Sequence, residues 1–401
     1  MARVRRIDHG PVVLVAAQGG IGGAERVLLL LLSALPAGEA VVCAPAGSEL
    51  SRAVEAMGHR VRDLYLPKLV NSPSVISYGV SYLRALVRLV AALRSERASV
   101  VHGFAAFTIK VVVPASILTG VPIVVGVHEV TAKSSIGRVH SWAQRLPAGR
   151  VSLFLAVSRY IADSLVASGY PASRVRVVHN GIARSLPRLA RTRARAQLGL
   201  PQDCLLLLVV ARLSHWKGVH VALEAFARLV TTETAPAELV IVGGPAEPRD
   251  ERYRDALVAQ AAKLTIADRV RFTGPRRDVE YFYDACDVVL VPSIEPDPFP
   301  TVVLEAGLAG RPVVATSLGG AREAVVPGVT GLVVDPNPDA FVSALAQVTD
   351  PAWRARAGAA ARFHVERNFT VAGFAADCCT AWCDVVASAP EVSGRRSFRR
   401  H

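Results

Sequence analysis

The sequence has little of what marks stapled folds or metal sites. Six Cys stand among 401 residues, with no C-x-x-C pair; Cys43, Cys204 and Cys286 occur singly, and Cys378, Cys379 and Cys383 share one helix-like segment. That spacing excludes a disulfide framework or a zinc site and reads as buried free thiols. No aromatic-rich RNA-binding strand, zinc finger or basic zipper is present, which excludes the common nucleic-acid modules. No unbroken apolar run reaches the ~20 residues of a bilayer span. The longest uncharged stretch, Val111 to His128, is interrupted by Pro114, Gly120, Pro122 and Gly126, so a helix, a turn and a strand are expected there. The N-terminus lacks the apolar run and small-residue cleavage site of a signal peptide, so a cytoplasmic location is expected.

What is present is a packed body. Hydrophobic residues make up 51% and charged residues 20%, and at roughly 150 residues per domain the length predicts two or three domains. The net charge of +13, from 46 Lys+Arg against 33 Asp+Glu, points to anionic partners. Arginines gather at the start (Arg3, Arg5, Arg6), in mid-chain (Arg184, Arg188, Arg191, Arg193, Arg195) and at the end (Arg395, Arg396, Arg399, Arg400). This is charge on ends and a linker, which fits peripheral contact with an acidic membrane surface and no nucleic acid.

Short Val/Ile/Leu runs alternate with amphipathic stretches, the pattern of β-α units around parallel sheets. Seven strands are predicted between Val12 and Val178, and six more between Leu205 and Val334. The fold class is therefore α/β with two doubly wound parallel sheets. Expected domains are 1–183 and 201–368, joined by a linker at 184–200, with a returning helix at 369–388 and a basic tail at 389–401. Such sheets bind ligands beyond the carboxyl ends of their strands, so the natural site is a cleft where the two sets face each other.

Four loops follow strands and carry ligand-suited chemistry. The first strand runs into a Gly-rich turn with Gly20, Gly22 and Gly23, whose N–H groups suit a phosphate or a sugar oxygen. A dinucleotide fingerprint is not met, because Glu25 occupies the third glycine position. The first strand of the second set ends in Arg212 to Gly218, placing Arg212 and Lys217 where two cations could neutralise a diphosphate. A third loop, Pro292 to Ala306, holds Asp297 and Glu305 on either side of a helix start near Thr301 to Val303. The fourth, Thr316 to Glu323, repeats the strand, Gly-pair, helix arrangement. No D-x-D metal signature occurs; Glu295-Pro296-Asp297 is the nearest approach.

The order of these motifs resembles the retaining GT-B glycosyltransferases of family 4, the group 1 glycosyl transferases. The resemblance rests on R-x(4)-K-G at Arg212–Gly218, L-V-I-V-G-G at Leu239–Gly244, V-R-F-T-G at Val270–Gly274 and D-V-V-L-V-P-S at Asp287–Ser293. Acid-x(7)-acid at Asp297–Glu305, S-L-G-G-A-R-E at Ser317–Glu323 and, in the first half, V-V-H-N-G-I at Val177–Ile182 add to it. It implies two Rossmann-like domains facing across a cleft and transfer of a sugar from a nucleoside-diphosphate sugar to an acceptor hydroxyl, with retention and no cofactor or metal. By it, Arg212 and Lys217 hold the diphosphate, Glu305 the ribose, and Asp297 with Phe299, Pro300, Thr301 and Val302 the sugar and phosphate. Gly274 and Arg276 lie near the base, Gly22 and Gly23 close over the donor, His128 sits at the sugar, and His102 faces the acceptor. Two residues depart from the family pattern: Asp297 stands for the usual Glu, and Pro300, which has no N–H, for the usual Gly. An epimerase-like enzyme of the same fold and a non-catalytic sugar-nucleotide scaffold are the competing expectations.

Overall fold

The computed structural model describes residues 10–16, 18–67, 74–129, 149–232 and 236–389. The terminal clusters Arg3, Arg5, Arg6 and Arg395, Arg396, Arg399, Arg400 lie outside the described residues. The chain folds into two compact units, one reaching Gly181 and resuming at Val371, the other spanning Ile182–Thr370.

The first unit runs β1 (Val12–Val15), α1 (Gly23–Ser33), β2 (Ala40–Ala44), α2 (Glu49–Ala56), β3 (Arg60–Asp63), α3 (Val75–Ser95), β4 (Val100–Gly103), α4 (Ile109–Thr119), β5 (Ile123–Val127), β6 (Leu153–Ala156), α5 (Arg159–Ala167) and β7 (Val175–Val177). Its seven parallel strands are ordered β3-β2-β1-β4-β5-β6-β7. Val12 to Val15 and Ala40 to Ala44 are buried throughout, because helices cover both faces of a parallel sheet and leave no polar side to alternate with.

The second unit runs α6 (Arg191–Leu198), β8 (Leu205–Val210), α7 (Val219–Thr232), β9 (Ala237–Val242), α8 (Pro248–Lys263), β10 (Val270–Gly274), α9 (Val279–Ala285), β11 (Val288–Val291), α10 (Thr301–Leu308), β12 (Val313–Thr316), α11 (Ala321–Ala324), β13 (Gly331–Val334), α12 (Pro338–Val348) and α13 (Pro351–Asn368). Its parallel sheet is ordered β10-β9-β8-β11-β12-β13. The chain enters and leaves this unit side by side, Ile182 N–H donating to the Phe369 carbonyl at 2.9 Å. It then forms α14 (Val371–Ser388), whose Phe374, Cys378, Cys379 and Trp382 are buried in the core of the first unit with β1, β2 and α1.

In both sheets the strand order reverses once, between β1 and β4 and between β8 and β11. Loops leaving neighbouring strands in opposite directions open a crevice at such a point. The Gly-rich turn follows β1, the Arg212–Gly218 loop follows β8 and the Asp297 loop follows β11.

The mid-chain arginines depart from the expected solvated linker. Arg184 makes a two-pronged contact with Asp284 at 3.0 and 2.8 Å. Arg191 reaches Asp287 at 3.0 Å. Arg195 has no exposed surface and binds Asp287 at 2.8 Å together with the Pro201, Gln202 and Cys204 carbonyls. A guanidinium has five donors in a fixed fork, so it can tie several chain segments together where Lys could not. The charge of Arg184, Arg191 and Arg195 is therefore spent inside the second unit and is not offered to an outside partner.

Candidate functional site

In the second unit, close backbone packing brings the predicted residues together. Gly218 is left-handed (φ +67°), and a Cβ there would lie 1.9 Å from the Pro292 carbonyl oxygen. Ile294 N–H donates to the Trp216 carbonyl at 2.9 Å, so the loops after β8 and β11 are joined along their backbones. As a result Lys217 Nζ lies 2.5 Å from Asp297 Oδ2. The Lys217 ammonium also sits 4.2 Å from the centre of the Trp216 ring. The exposed Arg212 guanidinium is 6.0 Å from that ring. Indole thus guides both cations to one place by cation–π attraction.

Asp297 is braced from behind. Its carbonyl accepts Gly320 N–H at 2.8 Å, and a Cβ on Gly319 (φ +73°) would stand 2.1 Å from that same oxygen. The fourth Gly-containing loop therefore serves as the backing of the third. Phe299 is buried with its ring 5.8 Å from Phe369, fixing the entry to α10. Pro300 caps that helix without an N–H, and Val303 N–H is bonded to the Pro300 carbonyl at 3.1 Å. Among the described residues this leaves the N–H groups of Thr301 and Val302 without an acceptor, so the helix start offers two donors where the sequence led us to expect three. Partial positive charge from the helix dipole collects at the same point.

Glu305 follows a turn later and accepts the Tyr283 hydroxyl at 2.6 Å, which commits one carboxylate oxygen and, among the described residues, leaves the other without a partner. Arg276 is held by Asp278 at 2.8 and 2.7 Å, and that partner lowers the Asp278 pKa. The Gly274 carbonyl is occupied by Gly243 N–H at 3.0 Å.

In the first unit the Gly-rich turn is looser. Glu25 Oε2 takes the Gly22 N–H at 3.1 Å, closing the start of α1, so this N–H is not free for a ligand as its glycine context had implied. A Cβ added to Gly20 or Gly23 would meet nothing within 4 Å. Packing within this unit therefore gives no reason for glycine at either position.

The two histidines meet at a small pocket of the first unit, with a cavity volume of about 10 Å³, room for roughly one water or one hydroxyl. Among the described residues its lining includes His102, Phe104, His128, Asn180, Phe374 and Cys378, and no Lys or Arg. Trp382 Nε1–H donates to His102 Nδ1 at 3.3 Å. Indole can only donate, so Nδ1 must accept and the ring proton resides on Nε2. Among the described residues that Nε2 is buried without a partner, as is Asn180 Oδ1. His128 is half-buried, its ring stacked on Phe104 with centroids 5.0 Å apart. A Cβ on Gly126 would be 3.2 Å from the Nε2 atoms of both histidines, so the two rings converge over a glycine that leaves them room. Burial pushes the His102 pKa down to about 3, with His128 adding to the shift, and burial alone pushes His128 down to about 4. Both rings are neutral at pH 7. The cavity joins a hydrogen-bond donor and an acceptor in apolar walls, which suits a hydroxyl group and disfavours an anion.

Reading the sequence gave roles to Lys217, Asp297, Glu305 and the histidines but none to Tyr283, Trp216, Asn180 or Trp382. Trp216 lies inside the R-x(4)-K-G motif and could have been marked as an aromatic neighbour of two cations. Nothing in the sequence links Trp382 to His102, 280 positions away.

Comparison with known proteins agrees with this geometry. Residues 21–186 match the family described as Glycosyltransferase Family 4, and residues 190–363 match Glycosyl transferases group 1. The D-inositol 3-phosphate glycosyltransferase of Acidothermus cellulolyticus is 39% identical over 207 residues, covering 50% of this chain and 46% of that protein. The enzyme of the same name from Streptomyces scabiei is 35% identical over 267 residues, covering 62% and 59%. The chain spans about half the length of the curated relatives it matches. Among solved structures, Anabaena HepE in complex with UDP superposes with a TM-score of 0.82 at 22% identity, over 93% of this chain and 100% of that one. Two parallel sheets with ligand loops at their switch points, two family models that between them span residues 21–363 apart from a gap of three, and the shared fold place this chain among the group 1, family 4 glycosyltransferases of the GT-B class.

Proposed function

We propose that this protein transfers a sugar from a nucleoside-diphosphate sugar to an acceptor hydroxyl, with retention of anomeric configuration and without a metal. The observation that carries the reading is the convergence, on one helix start, of Lys217, Asp297, the Thr301 and Val302 N–H groups and the available oxygen of Glu305. Solved structures of HepE carry UDP and UDP-glucose, which puts UDP-glucose first among the donors to try.

In this reading the bond between the anomeric carbon and the diphosphate oxygen breaks with both electrons leaving on oxygen. Positive character grows on the sugar ring and negative charge on the departing phosphate. Lys217 and Arg212 oppose that negative charge in place of a metal, and Thr301 and Val302 N–H donate to it without having to reorganise. Lys217 exchanges Asp297 for phosphate as the donor binds, and the Asp297 carboxylate is then available to a sugar hydroxyl. Glu305, aimed by Tyr283, accepts from the ribose. The acceptor hydroxyl attacks from the face the diphosphate leaves, and its proton goes to the departing phosphate oxygen. Within the first unit, His102 Nε2–H and Asn180 Oδ1 offer a donor and an acceptor to a hydroxyl, beside the neutral ring of His128.

The test is nucleoside-diphosphate release from UDP-, GDP- and dTDP-sugars by the full chain, beside Glu305→Ala. Slow hydrolysis of one donor, lost in the variant, is the expected result. No release from any donor, together with retained affinity for a nucleoside diphosphate, overturns transfer and makes the binding-scaffold reading the better one.

A further inference from the structure

We infer that the outward face of α3 is a docking surface for an anionic phospholipid bilayer. A helix on a water-exposed surface ordinarily turns its apolar side to the core and its polar side outward, but α3 is apolar on both sides. Ala85, Leu89, Ala92 and Leu93 are buried against the first unit. Away from them, Ile76, Val80, Leu83 and Val87 are 80%, 46%, 59% and 60% exposed. At 3.6 residues per turn these four fall within roughly 60° of arc, opposite the core face, and form a stripe about 16 Å long. Ile117 and Leu118 at the end of α4 are also exposed, and Arg94 Nη2 donates to the Leu118 carbonyl at 3.1 Å, so they stand beside the end of the stripe. Single exposed apolar residues are ordinary on protein surfaces; a contiguous stripe marks an interaction site.

Charge identifies the occupant. Between residues 75 and 95 there are three arginines, Arg84, Arg88 and Arg94, and no Asp or Glu. Arg84 and Arg88 are one turn apart along the flank of the stripe, and Arg94 continues its line. Arg88 shares its charge with Asp63 at 2.5 Å. The nearby acid Glu96 is buried and neutralised by both Arg60 and Arg62, so the excess around the stripe is positive. Apolar side chains flanked by arginines complement hydrocarbon lying under acidic head groups. A second copy of the chain packed face to face would set like charges against one another. The helix is long and apolar enough to cross a bilayer, but its other face belongs to the protein core and its arginines would be stranded in hydrocarbon, so it lies flat in the interface. The inference stands on α3 and α4 and is independent of the sugar-transfer reading.

The experiment is co-sedimentation of the full chain with vesicles of phosphatidylcholine alone and with 30 mol% phosphatidylglycerol, whose anionic head groups supply the negative surface potential. Binding to the anionic vesicles, weakened by added salt, is expected, with a Leu83→Asp/Val87→Asp variant partitioning at least tenfold less while keeping its circular dichroism and melting temperature. Leu83→Trp supplies a second reading at a position that does not disturb the core: the emission it adds should shift to the blue on anionic vesicles. Absence of binding, an unshifted emission from the Leu83→Trp variant, or binding that survives the double variant but is lost when Arg395, Arg396, Arg399 and Arg400 are neutralised overturns the proposal. Concentration-dependent dimerisation that the double variant abolishes, without vesicle binding, overturns it in favour of a second copy.

Discussion

The two units share an architecture but build their sites differently. In the second, the reactive groups are charged and are carried on loops whose backbones touch: Gly218 against Pro292, Gly319 against Asp297, and the Lys217–Asp297 pair across the join. In the first, they are neutral and distant in sequence: His102, His128 and Asn180 come from different elements to line one small pocket, and Trp382 holds His102 by its Nδ1. A charged site must stay rigid to offset the desolvation of its ions, so it depends on local backbone geometry. A neutral site can be assembled from side chains alone, because a hydrogen bond left partly unmade costs less than an uncompensated ion.

The sharpest way to break this contrast is to remove the cation at its centre. Lys217→Ala should lower the rate of donor cleavage by about 10²–10³-fold, the size expected for losing one preorganised group at a developing negative charge. It also leaves Asp297, only 6% exposed, without its partner, so stability should fall by about 2–3 kcal/mol, short of the full cost of orphaning a deeply buried ion because the Lys217 side chain is itself 20% exposed. Steady-state donor hydrolysis and urea unfolding measure the two effects. A rate within threefold of wild type would mean that Arg212 and the helix start alone carry the leaving group.

The glycines test stability rather than the chemical step, and here the units should part company. Gly218→Ala places a methyl 1.9 Å from a carbonyl oxygen in a left-handed backbone, whereas Gly20→Ala meets nothing within 4 Å. The first should cost about 2–4 kcal/mol in urea unfolding, the second less than about 0.5 kcal/mol. If Gly20→Ala nevertheless weakens donor binding, the open space over that turn belongs to the ligand and not to the fold.

This difference also explains what could be read from the sequence. All thirteen predicted strands are present; the central ones are buried on both faces of a doubly covered parallel sheet and so write a continuous apolar signal, while the edge strands β3, β7 and β10 carry Arg and are only partly covered. The charged site was legible for a related reason: Arg212 and Lys217 share a short loop whose Gly218 is fixed by close contact, and Asp297 and Glu305 lie on either side of a helix start in a proline-rich stretch, so chemistry and backbone constraint coincide in short stretches of sequence. Asn180 carries no such mark. Its side chain matters because it is buried in a cavity with an empty acceptor, and burial at a junction of β7, β5 and α14 is a property of the tertiary fold. The mid-chain arginines misled for the converse reason. Arg195 looks like surface charge until Asp287 arrives from 92 residues away.

The smallest expected effect concerns pH and belongs to the neutral site. His102 and His128 have pKa values lowered to about 3 and about 4 from an ordinary 6.5. In the unfolded chain both rings take up protons as pH falls below about 6.5, while in the folded chain they refuse them until far lower. The unfolded state therefore binds more protons in that window, and stability falls as pH drops from about 6.5 toward 4 and is flat in this respect above it. For His102 alone the loss is on the order of 1 kcal/mol by about pH 5.5. His220 and His364 are also shifted down by burial and act in the same direction, so the raw slope is not diagnostic. The difference between wild type and His102→Gln is. The variant should lose less stability between pH 7 and 5.5, by about that amount, and donor hydrolysis should keep its rate over the same range, since rings that stay neutral have no proton to gain. A variant with an unchanged slope would mean that water reaches His102 well enough to let it titrate normally, and the cavity would then be a wet channel rather than a dry seat for a hydroxyl.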